Sequence, residues 1–114
     1  MDLTELTQHM HDFVRAKGWY DPDTPRPQTP RNIAISLCIE AAEILEHFQW
    51  NGDVADQKAL AGELADVTLY LLQLASTTGI DLEQAVMDKL KINYGRTWDQ
   101  DASDQTDEQG ENEA

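Results

Sequence analysis

The chain has 114 residues, 40% of them hydrophobic, which suits one apolar core and leaves no room for two domains of ordinary size. Its 22 acidic and 8 basic residues give a net charge of −14, which repels phosphate backbones and excludes nucleic-acid polymer as a natural partner. No apolar run reaches the roughly 18 residues that a membrane span requires, so no membrane partner is expected.

The N-terminus has neither a basic segment nor an apolar one behind it, and a cytoplasmic location is expected. Asp2, with Glu5 three residues on, forms a capping-box pattern, and Leu3, Leu6, Met10, Phe13 and Val14 follow at helical spacing. This predicts a first helix that stops near Lys17-Gly18. Residues 19–30 hold all four prolines, so the segment reads as a loop of the kind that covers sites. Thr29 as N-cap and Pro30 as first helical residue open a second helix running to about Trp50. A third helix is predicted over about 55–78, ending at Gly79, and a fourth from Asp81 to about Asn93. Residues 99–114 carry seven acids and no base. Too little there can be buried to offset ordering entropy, so an acidic disordered tail is expected behind a 1–98 domain. The fold class is therefore all-α, a four-helix arrangement.

The lone cysteine, Cys38, excludes an internal disulfide and reads as a buried structural thiol. Glu40 and Glu43 share a helical stripe with Ser36 and His47, and they are the only charges between Ile33 and Leu45. Glu63 and Asp66 are likewise the only charges between Ala59 and Ala75, with Tyr70 one turn later on the same stripe. One such pair alone would read as a solvated face. Two pairs in helices apolar nearly all round read as buried acids, for which neither helix supplies Lys or Arg. A cation must compensate, and an all-oxygen donor set suits Mg²⁺, with Mn²⁺ as a substitute. Di-iron chemistry is disfavoured, because neither pair has the Glu-x-x-His spacing that such bundles use.

Glu40-x-x-Glu43, nineteen intervening residues, then Glu63-x-x-Asp66 resembles the signature of the MazG-like all-α nucleoside triphosphate pyrophosphohydrolases. Pro30-Arg31-Asn32-Ile33, the segment from Glu40 through Phe48-Gln49-Trp50, and Glu63-Leu64-Ala65-Asp66-Val67 look like the dCTP pyrophosphatase branch. The resemblance implies Mg²⁺-dependent cleavage of a (d)NTP between its α and β phosphates, a house-cleaning reaction on a pyrimidine such as dCTP or a modified dCTP. It carries the metal-ligand and catalytic roles to Glu40, Glu43, Glu63 and Asp66. It carries base stacking to Trp19 and Trp50, a site tyrosine to Tyr70, and phosphate or sugar contacts to Lys89, Asn93 and Arg96. It also implies a homotetramer, and the apolar extent of the second and third helices independently predicts at least a dimer. Two departures bear on the base: the 19–30 loop is longer than in dCTP-cleaving relatives, and Gln28-Thr29 stands where they carry a His. The alternatives are a dUTP-preferring enzyme of the same superfamily and a non-catalytic helical module that binds a partner protein.

Overall fold

The computed structural model describes residues 1–50, 52, 54 and 56–96. Four helices, and no strand among the described residues, follow in order: α1 (Leu3–Ala16), α2 (Pro30–Glu46), α3 (Gln57–Thr77) and α4 (Leu82–Tyr94). No described helix is long and apolar enough to cross a membrane. The residues read as an acidic tail, 99–114, lie outside those described.

Each start has a local cause. Asp2 accepts from the Glu5 amide and Glu5 reaches back to the Asp2 amide, so two of the helix's orphan donors are satisfied reciprocally. Thr29 accepts from the Asn32 amide ahead of Pro30, and Asp56 does the same for Ala59. Gly18 and Gly79 sit at φ +75° and +74°. At each, the following residue bonds back five positions, Trp19 to the Val14 carbonyl and Ile80 to the Ala75 carbonyl. The first of these turns sends Trp19 back against Phe13, edge to face at 5.7 Å.

α2 stops at Glu46, four residues short of the predicted end. His47, Phe48 and Gln49 bond to carbonyls three residues back, so the helix closes in a tightened turn although the apolar pattern continues.

The chain divides into two compact units, one from Met1 to Leu82 and one from Glu83 onward. In the first, α3 packs against both α1 and α2. Met10 and Val14 of α1, Ile33 of α2, and Leu72 and Ala75 of α3 form the buried core, with Ile33 only 1% exposed. Gln73 is buried among them.

The outer faces of α2 and α3 overturn the expectation of burial nearly all round. Leu45 is 70% exposed and Leu64 50%, with Ile35, Ile39, Leu69 and Leu71 also exposed. With α3 packed against α1 and α2, these faces stay open to solvent within one chain. Cys38, expected to be buried, is exposed for the same reason. The second unit carries most of α4, on which Lys89 and Asn93 stand four residues apart on one face.

Candidate active site

A cleft of about 550 Å³ lies within the first unit, between α1, the 19–29 loop, α2 and α3. α2 contributes Asn32, Ser36 and Glu40, spaced by four residues and so stacked along one stripe. α3 contributes Asp66, Tyr70 and Gln73, spaced by four and then three residues along one stripe. The loop brings Trp19, Arg26 and Gln28, and α1 supplies an apolar floor that includes Met10 and Phe13. One end of the cleft is therefore acidic and the other aromatic and apolar, the division of character a ligand with a charged and a flat end needs.

Local contacts hold the loop in place. The Asn32 side chain donates to the Pro27 carbonyl at 3.0 Å, and the Gln28 amide nitrogen donates to the Arg26 carbonyl at 2.8 Å. The Arg26 guanidinium lies over the Trp19 ring, 5.3 Å from its centroid.

The acids are less buried than predicted: Asp66 is exposed, and Glu40, Glu43 and Glu63 are half-buried. They nevertheless feel one another. The Glu40 carboxyl is held above its ordinary range, first by loss of hydration and then by the charges of Glu43, Asp66 and Glu63. All three neighbours are anions, so the four residues form one field of a single sign. Glu63 has a partner that spacing alone did not assign, the His47 ring nitrogen at 2.6 Å.

Whether these residues suit a divalent cation turns on the donors. Carboxylate oxygens are hard ligands, and mutual repulsion among four of them is what a hard cation relieves. They do not converge on one point. Among the described residues no group of three or more His, Cys, Asp or Glu is close enough together to hold an ion. Like charges spread apart, and rotation about exposed side-chain bonds is the movement that would gather them.

The structure thus brings Glu40, Asp66, Trp19 and Tyr70 to one cleft, with Glu43 and Glu63 in electrostatic reach of Glu40. Trp50 is 86% exposed and takes no part in the cleft wall. Lys89, Asn93 and Arg96 belong to the second unit, where Lys89 is exposed and the other two are half-buried. Gln28, which the sequence already tied to base choice, stands in the wall; Gln73, also in the wall, and His11 behind it carry no assignment from the sequence. For Gln73 a signal existed, since it continues the Asp66–Tyr70 stripe and is the one polar residue between Tyr70 and Ala75.

The model of the MazG-like family matches residues 35–112. Human dCTP pyrophosphatase 1 is 38% identical over 103 residues, which cover 82% of this chain and 58% of that protein. A dATP/dGTP diphosphohydrolase of Salmonella phage PMBT28 is 48% identical over 81 residues, covering 71% of this chain and 24% of that protein. The chain thus spans less than two thirds of the length of the curated relatives it matches. A crystal structure of a pyrophosphatase from Archaeoglobus fulgidus superimposes with a TM-score of 0.65 at 33% identity, over 80% of this chain and 87% of that one.

Proposed function

The chain belongs to the MazG-like family, whose model spans more than half of it, and from that premise we propose that it is a magnesium-dependent nucleoside triphosphate pyrophosphohydrolase. Its substrate is a (d)NTP, a pyrimidine such as dCTP or a modified dCTP, and its products are the monophosphate and pyrophosphate. The observation that carries this reading is the cleft that joins Glu40 and Asp66 to Trp19 and Tyr70.

Glu40, Glu43, Glu63 and Asp66 would hold Mg²⁺, or Mn²⁺ in its place. When bound, the ion neutralises triphosphate charge and polarises phosphorus. The chain's own residues do the rest. Trp19 and Tyr70 offer flat surfaces to base and sugar and so fix the nucleotide's orientation. One of the four carboxylates would accept the proton of the attacking water. The oxygen that bridges the α and β phosphorus atoms leaves with one of the two products. The family resemblance, rather than the cleft, carries phosphate and sugar contacts to Lys89, Asn93 and Arg96 and base stacking to Trp50.

The active species is a homo-oligomer, a tetramer or at least a dimer, because the exposed apolar faces of α2 and α3 need a cover. Light scattering on active protein tests this, and a mass of 12.9 kDa, that of one chain, would contradict it. We place the enzyme in the cytoplasm, with its nucleotide pool.

The test of function is pyrophosphate release from a panel of pyrimidine and purine dNTPs, with Mg²⁺ and with chelator. Release from dCTP that chelator stops is expected. No release from any dNTP would sink the reading and leave a partner-binding module in its place.

A further inference from the structure

At the end of the cleft away from the acids, the Gln73 side chain is buried, only 3% exposed, yet forms part of the wall. A buried amide must satisfy its polar atoms or face something that will. The direction of its hydrogen bonds follows from one fixed point. The Arg26 carbonyl can only accept, so the Gln28 NH₂ group, 2.8 Å away, donates to it. Gln28 Oε1 therefore points the other way and accepts from Gln73 Nε2 at 2.8 Å. The same Gln73 nitrogen donates to the Tyr20 hydroxyl at 3.4 Å. Tyr20 in turn shares a hydrogen bond of 2.6 Å with His11 Nδ1, and His11 Nε2 one of 2.7 Å with Ser76 Oγ. Loss of hydration lowers the His11 pKa and so favours the neutral ring.

Every hydrogen bond that the structure gives the Gln73 side chain thus runs through Nε2, and Oε1 is left as an acceptor in the wall of the cleft. It cannot exchange places with the nitrogen without opposing Gln28 Oε1 with a second oxygen. Along α3, Asp66, Tyr70 and Gln73 are spaced so that the amide lies about 10 Å from the carboxylate. That spacing is comparable with the reach from the α-phosphate of a nucleotide to the far edge of its base.

We propose that Gln73 is a specificity-determining residue, its Oε1 accepting from the exocyclic amino group of a cytosine- or adenine-type base and rejecting the carbonyl of uracil or thymine. The inference rests on the nucleotide reading above and names the residue that chooses among bases. A base with a carbonyl at that position would set oxygen against oxygen beside a side chain that is only 3% exposed, where an unmatched polar contact discriminates strongly. Gln28 is a positioning residue that acts through Gln73.

Binding of dCMP and dUMP to the full chain, followed by tryptophan fluorescence or calorimetry, tests the proposal without requiring turnover. The wild type is expected to bind dCMP at least about tenfold more tightly than dUMP, and Gln73→Met to narrow the ratio to within about twofold. Gln28→Ala, a change in the rim rather than the core, is expected to narrow it partly. Equal binding of the two nucleotides by wild type overturns the proposal, as does an undiminished ratio in folded Gln73→Met. Should Gln73→Met not fold, an undiminished ratio in Gln28→Ala overturns it. A wild type that prefers dCMP in this assay but hydrolyses no triphosphate supports the role of Gln73 and refutes only the proposed catalysis.

Discussion

At the acidic end of the cleft, Glu40 and Asp66 stand in a field of carboxylates where His47 is paired with Glu63 and the Glu40 proton affinity is raised by loss of hydration and then by its neighbours' charges. At the other end, Gln28 and Gln73 are joined to each other and, behind the wall, to Tyr20, His11 and Ser76 in a series of hydrogen bonds. The first region is electrostatically incomplete and gains from a cation and from the charge that the cation brings with it. The second is neutral and already satisfied except at one acceptor. The contrast separates two tasks within one cleft: a region that repels itself is suited to hold ions, and a region locked by its own bonds is suited to discriminate.

The largest test of this contrast is removal of charge from the acidic end. Glu43→Gln and Asp66→Asn should each lower turnover by about 10³-fold or more, an effect of the size that electrostatic and acid–base groups supply. Circular dichroism should find both proteins folded, with melting temperatures unchanged or raised, because a like-charge repulsion has been relieved. Turnover within a few-fold of wild type would remove these residues from the chemistry.

Adding the cation should do what deleting the charge does. Mg²⁺ at a hundredfold excess over its dissociation constant stabilises a folded protein by about 2.7 kcal/mol, and thermal unfolding of wild type should shift upward accordingly. Asp66→Asn should lose most of that shift. An equal shift in both proteins would place the ion elsewhere.

The amide end should answer in the opposite sense. Gln73→Met leaves the Gln28 oxygen without its donor and should cost about 1–3 kcal/mol in denaturant unfolding, whereas the acid-end variants cost nothing. A Gln73 variant as stable as wild type would show that the hydrogen-bond series is not a structural constraint.

The smallest expected effect is on pH. The folded protein depresses the His11 pKa below its ordinary 6.5, so the unfolded chain takes up the proton first as pH falls. The stability contributed by neutral His11 is fully present above about pH 6.5 and is lost as pH drops through the lower folded value. Melting curves between pH 7.5 and 5 should therefore fall more steeply for wild type than for His11→Leu. Parallel slopes would contradict a neutral, doubly bonded His11.

Much of this architecture could be read from residue order, for reasons local to each segment. The Asp2–Glu5 capping box, the Thr29–Pro30 start and the glycines at 18 and 79 act over one helical turn, and each is found where the pattern puts it. The stripes of Glu40 and Asp66 follow from helical periodicity alone. Burial does not, because it depends on how many neighbours a helix has: Leu45, Leu64 and Cys38 lie on apolar helices and are exposed in one chain. The end of α2 at Glu46 was hidden by apolar residues that continue through the tightened turn. The Gln28–Gln73 bond joins residues 45 positions apart, and no periodicity within either segment announces it.

The reaction proposed for the metal-loaded acidic end is cleavage between the α and β phosphates. Phosphorus-31 NMR of dCTP incubated with the full chain tests it most directly. With Mg²⁺ present, resonances of dCMP and pyrophosphate should grow in equal amounts, and chelator should stop both. Formation of dCDP and orthophosphate, equal rates with and without chelator, or an unchanged dCTP spectrum would contradict the claim.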